Sequence, residues 1–232
     1  GETIVLCLLL FCGSMLMVNM SGERAPEQYE FKHSEYVPYL IGKEGDLAFQ
    51  ASQGKYDPET QEFIAWNDKI KRIDDKGNVT IELVPTTGFG TTGKSTSGFT
   101  VKEGQRTPLY VANMALDQEI GEKLKTVNRR IPSFNILPEK LRVPMLSSFY
   151  RGGLSGSPKT IELINKGDFK KAAKEFLDNK EYKKSKKEGT GVANRMEELS
   201  NALLSYDEEI KKAGGGIVMN DPDKNYNAQR FI

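Results

Sequence analysis

Apolar residues recur at helical spacing through most of the second half of the chain. Five segments show this pattern and are predicted to be amphipathic helices: Leu109–Val127, Leu141–Tyr150, Ser157–Leu163, Asp168–Leu177 and Val192–Tyr206. Nearer the start, Glu35–Lys43 has the same spacing, and Gly45 follows it as a residue type that commonly ends a helix. This first helix is therefore expected to end at Glu44, with a carboxylate at its C-terminal end.

Between the first helix and the later ones, the pattern changes to short runs rich in β-branched and aromatic residues. Glu62–Ile73 and Asn78–Val84 are predicted to be strands, and the bend Asp74–Gly77 between them favours a hairpin. The next stretch, Thr86–Gly98, is dense in glycine and threonine and is expected to be irregular. A small antiparallel β-hairpin region followed by a mainly helical C-terminal lobe predicts an α+β fold.

The predicted hairpin also determines which residues face each other. If the chain turns at residues 75–76, antiparallel pairing sets Asp68 opposite Val84 and Trp66 opposite Thr86. Asp68 and Thr86 are therefore expected to lie close together on the two strands.

The chain opens with a segment of a different kind. Ile4–Met20 has 17 residues without a charge, a length at the lower limit of a membrane-spanning helix and typical of a signal-peptide apolar region. Glu2 precedes it where a signal peptide has Lys or Arg, so an uncleaved anchor, a signal segment and a helix buried in a larger assembly all stay open. We predict that residues 1–20 contact a membrane or partner subunits. A linker (21–34), a globular domain (35–210) and a polar tail (211–232) are expected to follow.

The composition limits which functions and which kinds of site are possible. The 33 basic and 32 acidic residues leave a net charge of +1, which argues against bulk electrostatic binding of nucleic acid. Cys7 and Cys12 both lie in the apolar opening segment, so the globular part has neither a disulfide nor a thiolate zinc site. The single histidine, His33, is the only residue on which a His-based triad could be built. No metal or other cofactor is expected.

A Lys-rich stretch, Phe169–Lys187, has two interpretations. The favoured one is the solvated face of a helix whose other face is buried. The alternative is a surface that attracts an acidic cell wall.

One short motif points to a different function. Gly88–Ser95, with the sequence GFGTTGKS, matches the phosphate-binding loop in which backbone N–H groups and a lysine, here Lys94, hold phosphates. That loop requires a helix directly after it, and the residues that follow, Thr96–Thr100, have no apolar helical face. Nucleotide binding is therefore the less favoured interpretation.

The order of several motifs resembles the phage-type lysozymes. In that family a helix ending in Glu-Gly precedes a hairpin of the form Ala-Tyr-x-Asp … Thr-Ile-Gly-Tyr-Gly-His. This chain has Glu44-Gly45, then Ala65–Asp68 and Thr86–Thr91. Three later segments are similar to the family's C-terminal half in the same order: Ser147–Gly153, Thr160–Leu177 and Gly191–Leu204. The resemblance extends from Glu35 to Leu204.

The resemblance implies a bacteriophage glycoside hydrolase, a muramidase that cleaves peptidoglycan glycan strands during host wall penetration or lysis. Such a protein acts in a phage virion or in the host cell envelope. Glycoside hydrolysis needs one carboxyl group to protonate the leaving oxygen and a second to stabilise charge or activate water. The resemblance implies Glu44 as the acid, Asp68 as the second carboxylate and Thr86 as the hydroxyl that holds the water. Glycan binding falls to Gly88, Phe89, Gly90 and Arg151.

The chain departs from the family pattern at several of these positions. The family's second carboxylate lies nine residues after the Glu, where this chain has Gln53, so Asp68 rests on the predicted pairing and Asp57 is its alternative. Thr91 stands where the family has His, and Arg151 stands where it has Asn. Two other functions therefore stay open: a lytic transglycosylase acting on the same bond, and a non-catalytic wall-binding or virion structural protein.

Overall fold

A computed structural model describes residues 29–73, 79–92, 100–189 and 191–214. The helices within these ranges are α1 Val37–Glu44, α2 Leu47–Ser52, α3 Leu109–Arg130, α4 Glu139–Tyr150, α5 Pro158–Asn165, α6 Phe169–Leu177, α7 Lys180–Glu188 and α8 Gly191–Lys212, with a short 3-10 helix at Phe134–Ile136. The strands are β1 Tyr56–Asp57, β2 Glu62–Ile64, β3 Trp66–Ile73, β4 Val79–Thr87, β5 Thr91–Thr92 and β6 Arg106–Pro108. The predicted α+β class is confirmed: the strands fall between α2 and α3, and every later element is helical.

The strands form two small antiparallel sheets, one in the order β1-β2-β6 and one in the order β3-β4-β5. The predicted register of the long hairpin is confirmed, since Asp68 pairs with Val84 and Trp66 pairs with Thr86. The bend that joins the two strands lies outside the described residues.

Two details of the predicted β-region are wrong. The single strand expected over Glu62–Ile73 breaks at Ala65, whose N–H donates to the Gln105 carbonyl and whose carbonyl accepts from the Gly104 N–H. These bonds turn the chain from the first sheet into the second. The start of the stretch expected to be irregular is regular instead, because Thr86 extends β4 and the chain returns two residues after Phe89 as β5.

Most of the core lies in the helical part of the chain. Its largest fully buried members there include Leu116, Ile120, Phe134, Leu141, Phe149, Phe169 and Phe176. The five predicted C-terminal helices are all present, and the last continues to Lys212. The apolar periodicity did not predict α7. This helix begins after an Asn179 side-chain cap and ends at Gly189 in the left-handed conformation. With few apolar positions, α7 has almost no periodic signal.

The described part of the predicted linker is bound to the domain. The carboxylate of Asp117, on α3, accepts hydrogen bonds from the Tyr29 hydroxyl, the Lys32 N–H, and both the N–H and the ring Nδ1 of His33. Asp117 is only 2% exposed. Residues 29–33 are therefore fastened to α3 through one buried carboxylate.

Among the described helices, none is long and apolar enough to cross a membrane. The apolar segment 1–20, residues 21–28 of the predicted linker and residues 215–232 of the predicted tail lie outside the described residues.

Candidate active site

Glu44 occupies the last position of α1, as the sequence predicts. Gly45 ends the helix with a φ of 100°, and a side chain there would meet the Phe49 ring at 2.4 Å, so the position needs glycine. The Gln50 side-chain amide donates to the Glu44 carbonyl at 2.9 Å. The turn between α1 and α2 thus holds the backbone of Glu44 in a fixed place.

The Glu44 carboxylate is held by a residue from the far end of the chain. Arg195, in the first turns of α8, donates from Nη1 to Glu44 Oε1 at 2.9 Å, and from Nη2 to the carbonyl of Lys43. The side chains of Arg195 and Glu44 are 20% and 22% exposed, so the salt bridge is partly shielded from water. Such a charge-assisted contact fixes the orientation of the carboxyl group.

The other carboxylate oxygen faces the turn between β4 and β5. A Cβ added at Gly90 would lie 3.9 Å from Glu44 Oε2, so the backbone of this turn is directly beside the carboxyl group. Gly88 and Gly90 have φ values of 59° and 98°, and Phe89 between them is 2% exposed against Phe63. Of the three predicted glycan-binding residues in this turn, Phe89 therefore belongs to the core.

The same turn packs closely against α3. A Cβ at Gly88 would come within 3.0 Å of the Cβ of Ala112, which leaves no room for a side chain there. The turn is thus held at one end by α3, while its other end, Gly90, faces Glu44.

Tyr150, the last residue of α4, contacts the same turn. Its hydroxyl donates to Glu119 Oε2 at 2.7 Å and lies 3.4 Å from the carbonyl oxygen of Phe89. Burial raises the pKa of Tyr150 well above its usual value, and the negative charges of Glu119 and Glu44 raise it further. The phenol is therefore a neutral hydrogen-bond donor to the Glu119 carboxylate.

Arg151, a predicted glycan-binding residue, follows Tyr150 and is exposed. It lines a small pocket that also includes Ser147, Ser148, Met196 and Arg195. Arg195 therefore connects the predicted acid with the predicted binding residue, since it contacts Glu44 and lines the Arg151 pocket.

Asp68 and Thr86 lie on the paired strands β3 and β4, two register positions apart. Asp68 is exposed and accepts a hydrogen bond from the Trp66 indole N–H at 2.7 Å, and the Lys55 ammonium lies 4.1 Å from the Trp66 ring. Thr86 is 1% exposed and donates its hydroxyl to the Val84 carbonyl at 3.0 Å. Among the described residues, no hydrogen bond joins either side chain to Glu44.

Asp57, the alternative second carboxylate, is bound in an ion pair. Arg106 on β6 donates to its carboxylate at 3.1 Å and also contacts Glu62 at 3.0 Å. The hydrogen bond from Arg106 lowers the pKa of Asp57, with help from backbone N–H groups of the following turn. These contacts give Asp57 a structural task, which is to fasten the β1–β2 loop to β6.

The start of the phosphate-loop motif forms part of a hairpin. Its glycines at 88 and 90 lie in the turn between β4 and β5, and the chain continues from there as a strand. Lys94 and Ser95 lie outside the described residues. Within the described ranges, no group of three or more His, Cys, Asp or Glu side chains is arranged to hold a metal ion.

Sequence reasoning did not single out Arg195, Tyr150 or Glu119 as members of this site. Arg195 stood inside one of the segments that carry the lysozyme resemblance, so its signal was present. Glu119 follows Leu116 and precedes Ile120 on α3, and an acidic residue among such apolar neighbours is a further signal of a special role.

Comparison with known proteins adds no relative: no protein-family model, no curated protein and no solved structure matches this chain.

Proposed function

We propose that this protein is a peptidoglycan-degrading glycoside hydrolase of a bacteriophage, a muramidase with a lysozyme-like fold, and that Glu44 is its catalytic acid. One observation carries the proposal. The carboxyl group of Glu44 stands at the end of a helix, is clamped by Arg195 from the helical lobe, and faces the Gly90 turn of the sheet region. A partly exposed carboxyl group at the junction of two lobes is suited to reach a polymer lying between them.

In this proposal Glu44 protonates the glycosidic oxygen as the bond to the leaving sugar breaks. Arg195 holds one carboxylate oxygen, which leaves the oxygen beside Gly90 for the proton transfer. Arg151, exposed on the pocket that Arg195 shares, binds the acidic or amide groups that the wall polymer presents.

Asp68 is the proposed second carboxylate. Its hydrogen bond from Trp66 holds it in one orientation on β3, and the Lys55–Trp66 contact stiffens that neighbour. In a hydrolase this carboxylate stabilises the positive charge that develops on the sugar or activates water.

A lytic transglycosylase is the second candidate, and the placement of Thr86 favours it. The Thr86 hydroxyl is buried and already donates to the Val84 carbonyl, so it does not offer its proton to an attacking water. A transglycosylase cleaves the same bond with one acid and without water, which requires Glu44 alone.

The test is product analysis on purified peptidoglycan with the wild type and two variants. Glu44→Gln is expected to lower the cleavage rate by at least about 100-fold while the fold is kept, because a positioned acid contributes this much or more. Glu162→Gln, which changes an exposed carboxylate paired with Lys166 on α5, serves as the matched control and keeps the wild-type rate.

The products separate the candidates. Reducing muramic ends identify a hydrolase, and anhydro-muramic ends identify a transglycosylase. Full cleavage by folded Glu44→Gln contradicts the assignment of the acid, and a wild type that releases no products indicates a wall-binding or virion structural protein.

We also propose that the apolar segment 4–20 attaches this enzyme to a bilayer or to virion subunits, in the phage particle or the host envelope. Seventeen uncharged and mostly apolar residues are disfavoured in water by roughly 25 cal/mol per Å² of apolar surface. Deletion of residues 1–20 is expected to abolish flotation with lipid vesicles or co-assembly, while cleavage of isolated peptidoglycan continues. A deletion variant that is unfolded by circular dichroism, beside a monomeric soluble full chain, contradicts this.

A further inference from the structure

The long hairpin exposes two large apolar side chains on one of its faces. Ile81 and Leu83 stand two residues apart on β4 and are both mostly exposed. Alternate residues of a strand point to the same side of the sheet, so these two side chains are neighbours. The next residue, Val84, belongs to the opposite side and is buried. Single apolar residues are ordinary on a protein surface, but neighbouring ones form a patch of the kind that marks a contact with another molecule.

Basic residues stand beside this apolar pair. Lys69 of β3 pairs with Leu83, and Lys71 pairs with Ile81. Residues that pair directly across two antiparallel strands share a face of the sheet. The exposed Lys69 is therefore the cross-strand neighbour of Leu83 on the same surface.

The described strands of the hairpin place no acidic residue on this face. Beyond Lys69 and Leu83 the register continues with the uncharged pair Asn67 and Pro85. The two acidic residues of β3 and β4, Asp68 and Glu82, occupy alternate positions and so belong to the other face. One face of the hairpin thus combines apolar and basic residues, and both carboxylates fall on the other.

This combination matches the surface of a bilayer that contains anionic lipids. At such a surface apolar side chains leave water at the boundary between headgroups and acyl chains, while ammonium groups meet the lipid phosphates. A strand from another protein chain is less well matched. In the described sheet β3 is an edge strand, and lysines on an edge, here Lys69 and Lys71, oppose pairing with a further strand.

We propose that this face of the hairpin, defined by Lys69, Ile81 and Leu83, is a membrane-contact surface that inserts its two apolar side chains into the headgroup region of an anionic bilayer. The contact is separate from the one proposed for residues 4–20, and it does not require that the protein cleaves peptidoglycan. Because β4 leads from Leu83 to the turn at Gly90, the same contact holds the candidate site close to the membrane.

The test follows tryptophan fluorescence of the full chain on vesicles of phosphatidylglycerol and phosphatidylethanolamine that carry a nitroxide quencher high on the acyl chain. Leu83→Trp sets a fluorophore on the proposed face. Thr80→Trp is the matched control, because Thr80 is exposed and lies on the other face of β4. The emission of Leu83→Trp is expected to move to shorter wavelength and to be quenched, whereas Thr80→Trp behaves like the wild type, whose only tryptophan is Trp66.

The electrostatic part of the contact is tested with Lys69→Glu in the Leu83→Trp background. This change is expected to shift the equilibrium between the inserted and the free hairpin by about fivefold or more toward the free one, since each basic residue contributes at a negatively charged surface. Vesicles of uncharged phosphatidylcholine are expected to weaken the quenching in the same way. Quenching that neither change affects contradicts the role of charge and overturns the inference.

The readout is local, so attachment of the chain through residues 4–20 does not produce it. A Leu83→Trp protein that is bound to vesicles but not quenched, or equal quenching at both faces, overturns the inference. A blue shift of Leu83→Trp that grows with protein concentration in the absence of vesicles also overturns it, because it identifies a second copy of the chain as the occupant. Cleavage of isolated peptidoglycan is measured without vesicles, so failure of the proposed function is seen separately.

Discussion

The apolar side chains of α6 and α8 that face the core, such as Phe169 and Leu203, are fully buried, whereas on β4 Ile81 and Leu83 are 67% and 56% exposed. The base of the hairpin joins it to the helical region. There Val84 and Thr86 are buried, at 4% and 1% exposure. The helices thus supply the buried surface that stabilises the fold, and the hairpin extends from it with much of its length in solvent. Glu44 lies near the junction, beside the Gly90 turn that follows β4.

In this contrast the helical core accounts for the stability of the fold, and the candidate site lies where the hairpin meets that core. Close-packed helical cores are sensitive to the loss of a few methylene groups, while exposed strands tolerate substitution. A site placed between such regions takes its rigidity from one and its accessible surface from the other. Four substitutions test this division, in order of decreasing expected effect.

The largest effect is expected in the helical core. Phe169→Ala removes a ring that is fully buried on α6 and in edge contact with Tyr206, so it should lower the free energy of unfolding by about 3–5 kcal/mol. Urea unfolding followed by circular dichroism measures this. Lys174→Ala, an exposed change on the same helix, is the control, and equal losses from both variants would show that α6 is not part of the core.

The attachment of residues 29–33 to α3 should come next, and it should depend on pH. Burial acts to raise the pKa of Asp117, but the hydrogen bonds from Tyr29, Lys32 and His33 outweigh burial and lower it below 3.8. A lowered folded-state pKa means that the stabilisation is complete above about pH 4 and is lost as the pH falls through the folded-state value. Asp117→Asn should therefore cost about 2 kcal/mol at neutral pH, and less in acid.

The measurement for Asp117 is urea unfolding at several pH values between neutrality and the acid limit of the fold. Asp178→Asn is the control, because that carboxylate is 69% exposed and its partner Lys183 is 66% exposed, so water screens their contact. A constant difference between Asp117→Asn and the wild type across this range would mean that the carboxylate charge contributes nothing.

A smaller effect on stability, but a clear one on activity, is expected where the two regions are connected. Arg195→Ala removes the contact that holds Glu44, and in the proposed enzyme a misplaced acid costs about 10-fold to 100-fold in rate. Wall cleavage by Arg195→Ala is compared with that of Lys211→Ala, which removes an exposed ion pair at the other end of α8. Wild-type cleavage by a correctly folded Arg195→Ala variant would show that Arg195 has no role in the site.

The smallest effect is expected on the hairpin. Leu83→Ser replaces an exposed apolar side chain and should change the free energy of unfolding by less than about 0.5 kcal/mol. A loss close to that of Phe169→Ala would mean that this face of β4 is covered in the folded protein.

The features that the sequence predicts well are local. The end of α1 at Glu44 follows from the apolar spacing and Gly45, and the register of Asp68 with Val84 follows from the position of the turn. Both depend on residues close together in the chain, where turn geometry and periodicity determine the outcome. The break at Ala65 could not be found in this way, because its partners are Gly104 and Gln105, about forty residues later.

The candidate site shows the same limit. Glu44 was predicted, but its contact with Arg195 joins positions 151 residues apart, and the Tyr150–Glu119 bond joins two helices. Periodicity indicates which face of a helix is buried, but not which residue of another helix meets it. Apolar spacing indicates that this face of α3 is buried. It does not indicate that Glu119 on that face accepts a hydrogen bond from Tyr150 of α4.

The pairing of Glu44 with Arg195 also has a consequence for the order in which the molecule is made. At about 5–20 residues per second, a ribosome needs roughly 8–30 s to proceed from the acid to its arginine. In that interval α1, the hairpin and α3 can form while the carboxylate has no cationic partner. The contact between Glu44 and Arg195 forms only when α8 docks, so the candidate site should become complete abruptly, late in synthesis, rather than growing with chain length.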